Sequence, residues 1–134
     1  MGLRPWQRFE SLIIGSLFII EITDRAAVKL ERCIYAFLVG DVILRIGSSK
    51  APLIKRLRSW ELHVTHALNG RKSSIPDWEA AAWNEELSTH GKGVIYARQG
   101  ASVTTSVGKF DAYLDEESVL IGRHLPRLNR RKHR

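Results

Sequence analysis

Apolar positions fall in short runs in the first third of the chain and at helical spacing in its middle. The stretch "RCIYAFLVGDVILRIGSS", residues 32–49, holds two such runs, Cys33–Val39 and 42–46, separated by Gly40-Asp41. Both are rich in β-branched and aromatic residues, and Gly-Asp suits a two-residue turn, so the stretch predicts a β-hairpin. Gly47-Ser48-Ser49 is expected to leave the sheet. Residues 51–70 then carry Leu53, Leu57, Val64 and Leu68 at helical spacing, with Pro52 in the first turn and Gly70 closing the helix. Residues 71–74 read as a loop and 75–87 as a second helix opened by Ile75-Pro76-Asp77. "GVIYARQG" and "SVTTSV" read as strands of a second hairpin around Gly100, and Gly108 breaks the pattern. A last helix is expected from about Asp111, as N-cap, to about His124, where Leu125-Pro126 stops it.

Upstream, "SLIIGSLFII" is too short to span a membrane, which takes about 20 residues. Glu21, Asp24 and Arg25 follow it, where a secretory leader would have small residues. It reads as a buried strand or helix, with a turn or short helix over 21–31. The order β-β-α-α-β-β-α predicts a small α+β fold, a largely antiparallel sheet flanked by helices.

Composition adds the scale of the molecule. With 134 residues and neither a repeat nor a linker, the chain reads as one domain over 1–134. Residues 1–31 are expected as an N-terminal extension packed on a core at about 32–130, with a basic tail at 130–134. Cys33 is the single cysteine, which excludes an internal disulfide and a multi-cysteine zinc site and suits a reducing cytoplasm.

Charge changes the picture more. Twenty-one Lys and Arg against 14 acids give a net charge of +7. From Ser118 onward there are only basic charges, at Arg123, Arg127, Arg130, Arg131, Lys132 and Arg134; a second acid-free stretch, 42–60, holds Arg45, Lys50, Lys55, Arg56 and Arg58. Two such clusters point to a polyanion, nucleic acid first among them, over a merely solvated face.

Three positions stand out for chemistry. On the last helix Leu114, Glu117, Leu120 and Ile121 recur at three- and four-residue intervals, so Glu117 lies on or beside the apolar face. Its carboxylate needs a partner there, either an arginine or a divalent cation. On the first long helix Arg56 and His63 share a face, with Trp60 between them, and an arginine suits a phosphate. Tyr35 reads as a core aromatic whose hydroxyl reaches the sheet edge.

Taken together, these residues resemble the GIY-YIG nuclease superfamily. Cys33-Ile34-Tyr35 stands for GIY and Arg45-Ile46-Gly47 for YIG, at the family's spacing. "LIKRLRSW" is similar to the helix that carries the family arginine, at Arg56, and "EESVLIGRHLPRLN" to the closing motif, with its Glu at Glu117 and its Asn at Asn129. The resemblance covers about residues 32–130. It implies hydrolysis of a phosphodiester, in DNA more than RNA, with one divalent ion, Mg²⁺ or Mn²⁺, held by Glu117. It further implies that Tyr35 positions or deprotonates the attacking water, with Arg45, Arg56 and the metal favouring phenolate. Arg56 would stabilise phosphoryl charge and Asn129 would brace the Glu117–Tyr35 region; Trp60 occupies the place where the family helix often has a His or Tyr one turn after the arginine, with His63 a candidate substitute. Ser48, Ser49, Lys50, Arg58, Arg127, Arg130 and Arg131 are the expected backbone contacts. Two departures stand in the motif: Cys33 replaces a Gly, and Arg45 replaces the second Tyr. Tyr35, Arg45, Arg56 and Glu117 are expected on one concave surface at the sheet's edge, with Glu117 on the same side of the sheet as Tyr35.

Overall fold

The computed structural model describes residues 7–14, 17–21, 25, 27–40, 42–90 and 92–129. The basic tail, with Arg130 and Arg131, lies outside them, as does Asp41 of the first turn.

The fold is α+β. The predicted hairpin is present as Cys33–Val39 (β3) and Val42–Ser49 (β4), preceded by an N-terminal pair, Gln7–Ile14 (β1) and Leu17–Glu21 (β2). A 3-10 turn, Ala27–Lys29, links the two hairpins. Helices Leu53–Leu68 (α1) and Asp77–His90 (α2) follow, then Lys92–Gln99 (β5), Ser102–Thr105 (β6), Gly108–Asp111 (β7), Tyr113–His124 (α3) and a 3-10 turn, Arg127–Asn129. Among the described residues β2-β1-β5-β3-β4 form one five-stranded sheet, every pairing in it antiparallel. The apolar N-terminal stretch is thus strand rather than helix, and β1 joins the sheet by pairing with β5.

Three expectations need correction. Gly47, Ser48 and Ser49 stay in the sheet, because β3 begins early enough to pair Tyr35 with Gly47, Ile34 with Ser48 and Cys33 with Ser49. There is no hairpin around Gly100. β5 carries buried Ile95 and Ala97 and is taken up between β3 and β1, whereas β6 is exposed throughout and pairs with β7. Gly108, at φ 140°, therefore serves the β6–β7 turn, in a conformation that favours glycine. Asp111 does not cap the last helix. It ends β7 and pairs with Arg32 at 2.9 Å, and Ala112 takes the N-cap place without a side-chain bond.

Side chains of β3 alternate between two cores, as a central strand buried on both faces requires. Tyr35 and Phe37 face α1 and α2, among Leu53, Leu57, Trp60, Val64, Trp83 and Leu128. Ile34 and Ala36, with Ile46 of β4, face α3 through Tyr113, Leu120 and Ile121. The site residues therefore come from both faces of the sheet and meet at β4, its edge strand.

Candidate active site

Tyr35 is 2% exposed, and its hydroxyl oxygen accepts a 2.8 Å hydrogen bond from Trp60 Nε1. The phenol lies along its ladder partner Gly47: a Cβ built there would stand 2.5 Å from both the Tyr35 ring carbon Cζ and the hydroxyl oxygen. The glycine of the RIG motif is thus a requirement of close approach. Burial raises the Tyr35 pKa above its ordinary 10.0; the Trp60 hydrogen bond and the charges of Arg56 and Arg45 pull it down, and Glu117 adds to the rise. Burial dominates, so the phenol stays neutral at physiological pH. The two arginines alone do not favour the expected phenolate.

Cys33, in place of the motif's first glycine, is buried and has no positive φ. Nothing in the backbone there requires glycine. Burial pushes its thiol up from 9.0 to about 11.

Glu117 projects from α3, the helix on the sheet face opposite the Tyr35 ring. It reaches the edge strand, where Ser48 Oγ donates to its Oε1 at 2.7 Å. Ser48 follows Gly47 directly, so the carboxylate and the phenol approach β4 from its two sides, near enough for the Glu117 charge to act on Tyr35. The expectation of one shared concave surface is corrected accordingly: the constellation is a rim folded around the edge strand.

Asn129 clamps that strand. Ile46 N–H donates to its Oδ1 at 2.7 Å and its Nδ2 donates to the Ile46 carbonyl at 2.9 Å, so a side-chain amide completes the hydrogen bonding of a strand edge. It braces the region through β4, without a direct bond to Glu117 or Tyr35.

Arg45 is held by neighbouring groups. Its Nη1 donates to the Leu128 carbonyl at 2.6 Å and pairs with Glu79 at 3.5 Å, and the guanidinium lies 5.0 Å from the Trp60 ring centroid. Glu79 is a buried acid that also accepts from Trp83 Nε1 at 3.3 Å. Sequence reasoning missed Glu79; its spacing of four from Trp83, in a chain with so many arginines, was the available signal.

Arg56 is exposed, and no acid among the described residues pairs with it; the same holds for Lys50. Arg56 and Arg45 line a cleft of about 550 Å³ between α1, the 71–76 segment and α2, together with Trp60, His63 and Trp78. Other expected backbone contacts fall differently. Arg58 lies on another face of α1, beside Phe18 and Leu62, paired with Glu61 at 2.6 Å. Arg127 ties the last 3-10 turn to Glu85 and Glu86 of α2. Ser49 donates to the Ala51 carbonyl and Ser48 to Glu117.

For a divalent ion the donor set is one carboxylate beside a hydroxyl, and among the described residues no group of three His, Cys, Asp or Glu comes together. That set fits Mg²⁺, which keeps several waters and takes one or two carboxylates together with substrate phosphate oxygens.

Two solved structures share this α+β architecture. Over 93% of this chain and 92% of the other, the chain is similar to a variant of the endonuclease EndoII of bacteriophage T4, at 22% identity and TM-score 0.62. Over 92% of this chain and 75% of the other, it is similar to restriction endonuclease HPY188I in complex with product DNA, at 19% identity and TM-score 0.50. No protein-family profile and no curated protein matches the sequence. Among the described residues no helix is long and apolar enough to cross a membrane.

Proposed function

We propose that the protein is a metal-dependent endonuclease that hydrolyses phosphodiester bonds in nucleic acid, DNA in preference to RNA, through a GIY-YIG-type site. The observation that carries this reading is Glu117, a carboxylate delivered to the edge strand of a nuclease fold one residue from the Gly47–Tyr35 contact. Both fold neighbours are endonucleases, and one is bound to product DNA.

In this reading Glu117 holds the Mg²⁺ or Mn²⁺, with Ser48 fixing its carboxylate. The ion supplies Lewis-acid stabilisation of phosphoryl oxygens when bound. Arg56, exposed and without an acidic partner among the described residues, donates to the same phosphoryl group as charge develops on it. Tyr35 acts as a neutral donor: its oxygen is taken by Trp60, which leaves the phenolic proton to orient a water or a phosphoryl oxygen. Lys50 holds backbone without reading sequence, and the 130–134 tail adds charge. The single cysteine suits a reducing cytoplasm as the place of action.

A second reading is a protein of the same fold that binds nucleic acid without cutting it. It draws on Arg45, whose guanidinium is held by Leu128, Glu79 and Trp60 where the motif has a tyrosine. Incubation with labelled single- and double-stranded DNA and RNA, with Mg²⁺, Mn²⁺ or EDTA, separates the two. The nuclease reading expects metal-dependent cleavage that EDTA abolishes. Binding to these substrates without cleavage in either metal establishes the second.

A further inference from the structure

The α1–α2 cleft contains neither Tyr35 nor Glu117, so it is not simply the hydrolytic rim seen from another side. Its volume of about 550 Å³ suits a single small organic group. Three features of its lining point to one kind of occupant. Trp78, in the first turn of α2, is 46% exposed and lines the cleft. Arg56 lines the cleft and has no acidic partner among the described residues. Hydroxyl-bearing Ser59 and Ser74 also line it.

A lone exposed tryptophan is ordinary on a protein surface. This one stands beside a second, independent sign. The buried side-chain atoms left without a hydrogen bond among the described residues are Arg45 Nε and His63 Nδ1, and both residues line this cleft. Unmet buried polar groups are uncommon in folded proteins and mark places where the protein does not complete its own bonding.

We infer that the cleft is a nucleotide subsite, in which one nucleotide leaves the stack, its base lies on Trp78 and its phosphate meets Arg56. This rests on the nucleic-acid reading and deepens it. An aromatic plane next to a cation is the arrangement that holds single-stranded nucleic acid, because every base has a π-face while the cation tracks the backbone. A base inside an intact duplex has both faces covered and cannot lie on an indole. The substrate class is therefore a strand with an unpaired or extruded nucleotide at the site, and Arg56 links that nucleotide to the phosphate beside it.

The test measures binding by fluorescence anisotropy in EDTA, so that cleavage plays no part. The probes are a labelled single-stranded oligothymidylate and an abasic deoxyribose-phosphate oligomer of the same length and charge. The wild-type chain is expected to prefer the oligothymidylate, and Trp78→Ala to weaken its binding by roughly ten- to a hundredfold, the usual worth of one base–aromatic stack. Trp78→Ala should leave the abasic oligomer unaffected, and Trp78→Phe should restore the preference. Equal wild-type affinity for the two probes overturns the subsite, as does a preference that survives Trp78→Ala. Because no metal is present, a chain that never cuts can still pass this test, and an active nuclease can fail it. Absence of binding to either probe overturns the subsite, whereas the nucleic-acid reading stands or falls on binding to labelled duplex DNA in the same buffer.

Discussion

Gly47 is the residue on which the geometry of Tyr35 turns. A methyl group there meets the phenol at 2.5 Å, so Gly47→Ala must push the ring out of its place against Trp60. Overpacking of this kind costs about 1–3 kcal/mol, expected as a lowered denaturant midpoint. The buried phenol also fixes a pH expectation. Its pKa lies above 10.0, so a pH–rate profile should show no tyrosine ionisation through the neutral range. The Cys33 thiol allows a cleaner sign. Its folded pKa of about 11 is raised from 9.0, so its contribution to stability is complete below pH 9.0 and is lost as pH rises toward about 11. Denaturation curves across that window check the direction, and the thiol should resist alkylation until the chain unfolds.

At the scale of elements, the closing segment acts as a clamp on an edge strand. Asn129→Ala leaves the Ile46 N–H and carbonyl without their side-chain partner, at a cost of about 1–3 kcal/mol in unfolding free energy if they stay buried. Arg45→Ala is expected to cost about 3 kcal/mol, because it takes a cation from buried Glu79 and a donor from the Leu128 carbonyl. Adding Glu79→Gln should recover part of that loss in a double-mutant cycle. How far the sequence reveals these elements depends on whether the signal is local. The β3–β4 hairpin and the two long helices are legible because apolar period and turn residues sit side by side in the chain. The strand 92–99 is legible as a strand, but its partners are remote, and nearness in sequence wrongly suggested pairing across Gly100. Arg56 and Glu117 are legible as candidates through their motifs. That α3 lies on the opposite face from the Tyr35 ring is set by Leu120 and Ile121 packing on Ile34 and Ile46, contacts that no local pattern shows.

Across the whole molecule, the positive charge is not one uniform surface. Arg58 and Arg127 are ion-paired, whereas Arg56 and Lys50 have no acid among the described residues. Arg56→Ala should therefore lower turnover strongly, by about 3–4 kcal/mol of transition-state stabilisation if it donates to the reacting phosphoryl group. Arg58→Ala should change it little. Binding should weaken with salt, with log K falling by about 0.7–0.9 per phosphate contact for each unit of log salt; a flat response would argue against a polyanion partner. The most direct measurement is cleavage of labelled DNA by Glu117→Ala in Mg²⁺, with affinity measured on the same preparation. Removing the carboxylate should abolish cleavage while affinity holds or rises slightly, because one negative charge leaves a basic rim. Cleavage that persists in Glu117→Ala at the wild-type rate would contradict the account and place the chemistry elsewhere.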